Sequence, residues 1–219
     1  MNILDILGPV MIGPSSSHTA GAARIGRLAG IVLGEPPAAA DFYLHGSFAE
    51  TYQGHGTDRA LVGGLLGFDT ADERIRQSLE LAAAAGISIS FNRTDLGDVH
   101  PNTVKAMVKG KSGKTIDLVA SSIGGGNIRV VELLGFPVDF SGQFHTIIIP
   151  HRDRPGLIAA VSSLLAERGI NIAQMKVTRE QRGAEAIMII EADQSCPTEL
   201  VEQLAAIPDI RDVITVRPL

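Results

Sequence analysis

Cysteine is nearly missing from this chain, which has one, Cys196, in 219 residues. A single thiol cannot close an intrachain disulfide, and it cannot supply the several thiolates that an iron-sulfur cluster or a structural zinc requires. Any such cofactor must be held mostly by another polypeptide. Positive charge is also scarce, with 19 Lys and Arg against 24 Asp and Glu and a net charge of -5. No Lys/Arg run is long enough to track phosphates, which argues against a nucleic-acid partner. Long apolar runs are lacking too. No window reaches the ~18 to 20 apolar residues of a membrane span, and the short apolar stretch around Asp5 has no basic flank. These absences predict a cytoplasmic protein with no membrane partner. What is present suffices for folding, since 45% of the residues are apolar and the length allows one large or two small domains.

Ser16 or Ser17 is placed to cap a helix over 18–33, which Gly34 stops ahead of Glu35-Pro36-Pro37. A strand is predicted over 41–46, then a helix over 48–66 that Gly54 and Gly56 weaken. His55 is therefore expected at a helix break that exposes its imidazole. Periodicity predicts a helix over 72–85 and a strand over 86–91. Segments 103–108 and 115–120 flank Lys109-Gly110-Lys111-Ser112-Gly113-Lys114 and read as a hairpin whose connection exceeds two residues. Ile123-Gly124-Gly125-Gly126-Asn127 then leads into apolar residues 128–134. A boundary is expected near Phe140-Ser141-Gly142-Gln143. Beyond it, strand 146–149, helix 156–168, strands 172–178 and 184–191, helix 197–206 and strand 213–216 make the βαββαβ order of a ferredoxin-like module.

The run Gly13-Pro14-Ser15-Ser16-Ser17-His18-Thr19-Ala20-Gly21 sets three hydroxyls, an imidazole and a fourth hydroxyl ahead of the first helix. A helix N-terminus has unpaired N–H groups and a partial positive charge, so a carboxylate or phosphate sits well there. Ser15, Ser16, Ser17 and Thr19 add hydroxyl donors, and His18 adds a group that titrates near neutrality. One serine before a helix is ordinarily only a cap, whereas this run exceeds what capping needs and implies an anion site. In Gly54-His55-Gly56-Thr57-Asp58, glycine on both sides lets a ligand approach the imidazole, and Asp58 is able to fix its tautomer or raise its basicity. His55 is thus the better general-base candidate. His45, His55 and His100 lack the i, i+4 spacing of helical metal ligands and have no cysteine nearby, so no self-contained zinc site is expected. His100-Pro101-Asn102 reads as a turn in which Asn102 bonds either a substrate carboxylate or its own backbone. Gly124-Gly125-Gly126-Asn127 reads either as a backbone nest for an anion or as a close-packed turn. It lacks the strand-before, helix-after context of a dinucleotide fingerprint.

The loop His151-Arg152-Asp153-Arg154-Pro155-Gly156, followed by Leu157 and later by Glu167-Arg168-Gly169-Ile170-Asn171-Ile172, resembles the ACT family of amino-acid-sensing domains. The resemblance implies an effector pocket for a small amino acid at Asp153, Gly156 and Asn171, commonly at a contact between two such modules. The local alternative is that Pro155-Gly156 merely starts a helix and Asn171 turns a corner. Ahead of this module, Gly13 to Thr19, Gly54 to Asp58, His100-Pro101-Asn102 and Ser122-Ile123-Gly124-Gly125-Gly126 occur in the order found in the β subunits of iron-sulfur-dependent L-serine dehydratases. The chain resembles that family over nearly its whole length.

The fold so implied is α+β. An N-terminal mixed α/β serine dehydratase β domain over 1–140, similar to allosteric-substrate-binding domains, precedes a ferredoxin-like ACT domain over 145–219. The implied reaction is removal of water from L-serine, giving pyruvate and ammonia, with a 4Fe-4S cluster ligated by a separate α subunit and none bound by this chain. The resemblance makes His55 the base, with Thr57 and Asp58 orienting it and His18 as a further catalytic group. It assigns Ser15, Ser16, Ser17, Thr19, His100, Asn102, Gly124, Gly125 and Gly126 to the substrate, and no metal ligand to this chain. The same region also resembles a domain that serves some phosphoglycerate dehydrogenases as an allosteric anion-binding module. On that reading the chain is a regulatory anion- or amino-acid-binding subunit without a catalytic role. A third reading is a general amino-acid sensor acting through the ACT-like region alone. The partners expected are the α subunit and, through self-association of the ACT domain, a second copy, because an exposed sheet edge needs cover.

Overall fold

In the computed structural model, which describes residues 10–219, the first helical run begins earlier than its serines predict. Ser15 is the N-cap. Its extended backbone, φ -140° and ψ 124°, turns the hydroxyl back to accept the His18 N–H at 3.3 Å. Ser16 and Ser17 already lie inside a wide π-type turn, Ser16–Ala20, that runs directly into α1 (Gly21–Leu33). The expectation of a Ser16 or Ser17 cap is corrected for that reason, since a cap needs non-helical backbone.

Two compact units divide the chain at Gly135 and Phe136. In the first, β1 (Pro37–Leu44) leads to α2 (Gly46–His55) and α3 (Thr57–Leu65). The two helices are separated at Gly56, whose φ of 71° is left-handed, a conformation that costs glycine little. The helix expected over 72–85 is a 3-10 turn, Glu73–Gln77, followed by α4 (Ser78–Ala84). Strands β2 (Ser88–Arg93), β3 (Thr103–Gly110), β4 (Thr115–Gly124) and β5 (Asn127–Leu133) complete the unit. Its strands pair in the order β2-β1-β3-β4-β5, with β1 parallel to β2 and the other pairs antiparallel.

Alternation along the strands buries Phe42, Leu44, Val104, Ala106, Leu118, Ala120, Ile128 and Val130, the period-2 signature of a sheet with one face on the core. Helix α1 packs on β3, β4 and β5 and crosses α3. At that crossing the backbones nearly touch. A Cβ on Gly64 would lie 1.9 Å from the Ala23 carbonyl oxygen, and one on Gly26 would lie 2.0 Å from that of Leu61. The Ser15–Thr19 segment enters α1 and the His55–Asp58 segment enters α3, so this close crossing sets how far apart the two segments stand.

The second unit opens with β6 (Phe136–Phe140) and continues as β7 (His145–Arg152), α5 (Leu157–Glu167), β8 (Ile172–Arg179), β9 (Glu185–Ala192), α6 (Thr198–Ala205) and β10 (Ile214–Val216). The order β10-β7-β9-β8, antiparallel throughout, is the ferredoxin-like arrangement that the βαββαβ pattern predicts. Ile147, Ile149, Met188 and Ile190 of the sheet pack against Val161, Leu165, Leu200 and Leu204 of the two helices. Among the described residues no helix is long and apolar enough to cross a membrane.

Candidate active site

Two imidazoles meet where α1 and α3 begin. The His18 and His55 rings stand edge to face, with centroids 4.7 Å apart and planes at 76°. Hydroxyls hold both nitrogens of His18. Nδ1 is 3.1 Å from Ser17 Oγ and 3.3 Å from Ser15 Oγ, while Nε2 is 3.1 Å from Ser47 Oγ in the first turn of α2. Phe48 closes one side of the ring, its centroid 5.3 Å away. Burial, and then the nearby His55, lower the His18 pKa from the ordinary value of 6.5, because an enclosed imidazole beside another loses hydration when it charges. His18 is therefore neutral at pH 7. Thr19, also buried, turns its hydroxyl onto the Ser15 carbonyl.

The His55 Nδ1 and the Thr57 Oγ1 are buried without a hydrogen-bond partner among the described residues, so the site holds unused polar capacity, which is costly unless something binds there. Asp58 is 6% exposed. Its Oδ1 accepts the Arg59 N–H at 2.8 Å, not a bond from His55, and burial raises its carboxyl pKa above 3.8. Asp58 thus ties itself to the first turn of α3, while Thr57 brings a buried hydroxyl without a partner among the described residues to the same helix start.

The other motifs arrive through backbone. Gly46, with φ 54°, lies so close to Pro101 that a Cβ would stand 2.7 Å from its carbonyl oxygen. That oxygen accepts the Phe48 N–H at 3.4 Å, and the Asn102 carbonyl accepts the Ser122 N–H at 2.9 Å. Asn102 N–H is used locally, donating to His100 Nδ1 at 3.1 Å. His100 is exposed. Ser122, whose hydroxyl has no partner among the described residues, presses on Gly21 at the start of α1, where a Cβ would lie 2.0 Å from Oγ. Gly125 and Gly126, both with positive φ, form the two-residue turn between β4 and β5, and the Gly126 carbonyl is held by Arg24 at 2.7 Å. His45 has a local task, its Nδ1 accepting the Leu96 N–H at 3.1 Å. Among the described residues no group of three or more His, Cys, Asp or Glu is placed to hold a metal ion.

A cleft of about 280 Å³ opens beside His55, and Gly13-Pro14, Thr19, Gly54, Gly56, Arg59, Ile75 and Arg76 are among the residues that line it. A Cβ on Gly54 or Gly56 would meet nothing within 4 Å, so the approach to the imidazole is open. Ser47, Arg59 and Arg76 escaped the sequence reading. Ser47 had a signal in its position directly after His45-Gly46, but only folding shows that it faces His18.

In the second unit, Asp153 and Gly156 share a cleft of about 370 Å³ with Arg179 and Arg182. Asp153 Oδ2 accepts the Gly183 N–H at 3.1 Å and an Arg179 N–H at 2.9 Å, which together hold its carboxyl below the usual range. Gly156, at φ 84°, caps α5. Asn171 is not in this cleft. It precedes β8, at the end opposite Arg179, and its side chain bonds Asp193 at 2.7 Å.

Known protein families match the two units separately. Residues 2–132 match the family model described as serine dehydratase beta chain, and residues 145–209 match the ACT domain. The chain belongs to the serine dehydratase β-chain family. It is 48% identical to the probable L-serine dehydratase beta chain of Bacillus subtilis, across 97% of this chain and 96% of that one. With the L-serine dehydratase beta chain of Peptoniphilus asaccharolyticus the identity is 42%, over 87% and 86% of the two chains. A D-3-phosphoglycerate dehydrogenase of Bacillus subtilis is 30% identical across 88% of this chain but only 36% of its own length. As a serine dehydratase β chain with an ACT domain, the molecule has the α+β organisation that its motifs imply.

Proposed function

We propose that this chain is the β subunit of an L-serine ammonia-lyase, which together with a separate α chain converts L-serine to pyruvate and ammonia. The observation that carries the reading is the His18–His55 pair, boxed by hydroxyls at the meeting of two helix starts, in a chain whose family is that of serine dehydratase β chains. A 4Fe-4S cluster does not fit the residues of this chain, which has one cysteine, in the second unit, and no metal-holding cluster among its described residues. The cluster is assigned to the α chain.

The β chain's own part is positioning and proton transfer. Elimination of water from serine requires loss of the Cα proton and of the hydroxyl, and the enamine left behind rearranges and hydrolyses. His55 takes the Cα proton, at a helix break where flanking glycines let the carbon approach. The neutral His18 beside it sets no cation against the imidazolium that forms. Ser15, Ser17 and Ser47 fix the His18 ring, Asp58 anchors the start of α3 behind His55, Thr57 offers its buried hydroxyl there, and Ser16, Thr19, His100, Asn102 and the Gly124–Gly126 backbone serve substrate or α-chain contacts. In the ACT domain, Asp153 and Gly156 take a small amino acid effector, with Asn171 bracing the far end of β8.

The test is reconstitution with the α chain under anaerobic conditions. Serine-dependent pyruvate release is expected only from the mixture, and His55→Ala should lower the turnover number by about 10²- to 10⁴-fold, the span of a general base, with assembly unchanged. Near-normal turnover would remove His55 from the mechanism. The similarity to a D-3-phosphoglycerate dehydrogenase favours a second, regulatory reading, and full activity of the α chain alone would remove the catalytic role given to this chain.

A further inference from the structure

Two arginines, Arg59 and Arg76, are among the residues that line the cleft beside His55, and neither has a part in the proton transfer assigned to His55. Arg59 stands in the first turn of α3 and Arg76 in the 3-10 turn before α4. Their backbones are anchored. The Arg59 backbone gives its N–H to Asp58 and takes the Ser78 hydroxyl on its carbonyl at 2.7 Å, while Ile75, next to Arg76, is 2% exposed. Most other arginines are spent on protein partners: Arg24 on the Gly126 carbonyl, Arg27 on Asp69, Arg74 on Asp72, Arg179 on Asp153 and Arg211 on Glu185. Among the described residues, Arg59 and Arg76 have no ion pair or hydrogen bond from their guanidinium groups. The cleft lining contains no carboxylate at all, although acidic residues outnumber basic ones in the chain, 24 to 19.

We propose that Arg59 and Arg76 form the subsite that binds the carboxylate of the α-amino acid whose Cα proton His55 removes. The inference rests on the reading of this chain as a serine dehydratase β subunit. A planar guanidinium fork matches a carboxylate in two parallel bonds, and a cleft of about 280 Å³ lies below the range of drug-sized ligand sites, in keeping with a three-carbon acid. The histidine shares that cleft. A carboxylate anchored on α3 and the 3-10 turn presents the adjacent Cα to the imidazole, and the positive pair also favours the electron-rich carbanion-like stage that follows proton removal.

The experiment is steady-state kinetics on the reconstituted α/β enzyme with Arg59→Gln, Arg76→Gln and the double variant. Each single substitution should raise KM for L-serine by about 10- to 100-fold, the loss of a charge-assisted bond, with a smaller change in turnover. Arg59→Lys should recover part of the loss. Arg76 is exposed, so Arg76→Gln leaves folding intact and reads the subsite even if Arg59→Gln weakens α3. If the wild-type mixture makes pyruvate while Arg59→Gln and Arg76→Gln keep KM within twofold, the subsite is wrong and the β-subunit reading stands. If the wild-type mixture makes none, both fall together.

Discussion

Placing a methyl group at Gly64 tests how the helix crossing holds the two histidines together. The added Cβ would lie 1.9 Å from the Ala23 carbonyl oxygen and 2.7 Å from the Arg27 nitrogen. Both obstacles are backbone, so no rotamer change relieves them and α3 must move away from α1. Overpacking of this kind costs typically about 1 to 3 kcal/mol, here at the upper end because whole helices shift. Alanine returns about 1 kcal/mol through its helix propensity, leaving a net loss of about 2 kcal/mol. For a chain of this size that is a fall of roughly 4 to 8 °C in melting temperature. The matched control is Gly54→Ala, in helix α2 with nothing within 4 Å of the new Cβ, where only the propensity gain of up to about 1 kcal/mol operates. Circular dichroism melts of the two variants should move in opposite directions. A Gly64→Ala protein that melts at or above wild type would refute the contact argument, and with it the claim that this crossing sets the His18–His55 distance.

Two further outcomes follow from the site and the second unit. His18 has a folded pKa below 6.5, so the unfolded chain binds the proton first, and the stability tied to neutral His18 is complete above pH 6.5 and declines as pH falls below it. Asp58 acts with the opposite sign at lower pH, the cost of its buried charge fading as it protonates through its raised pKa toward 3.8. The wild-type melting temperature should therefore drop between pH 7.5 and 5.5 more steeply than that of His18→Gln, and parallel curves would show that His18 does not carry the effect. Strands β8 and β10 end the second sheet, and an edge strand needs cover. Light scattering of the purified chain at micromolar concentration should give at least a dimer, whereas a sharp monomer would contradict self-association through this unit.

The sequence already showed the helix break at Gly56, because two glycines around one histidine defeat helix propagation locally, and the structure places that break where it was expected. It also showed the βαββαβ order of the second unit, since alternation and helical periodicity are properties of short windows. The first-helix cap is not legible in the sequence, because three consecutive serines offer equal chemistry and only the φ and ψ of Ser15 select it. The grouping of Asp153, Gly156 and Asn171 was half legible. The first two share a loop and therefore a cleft, but an eight-residue strand separates Asn171 from them.

What the sequence determined by itself is local or compositional: where helices and strands form, that one cysteine cannot hold a cluster, and which short motifs carry imidazoles and hydroxyls. Tertiary structure decided which of those groups meet. Ser47 reaches His18 across 29 positions, Arg59 and Arg76 come to line one cleft with His55, and Asp58 turns to a backbone N–H instead of the histidine. The physical reason is that a hydrogen bond needs its atoms within about 3.5 Å, and groups far apart in sequence, such as Ser47 and His18, meet that condition only when separate elements pack together, which no window of sequence encodes.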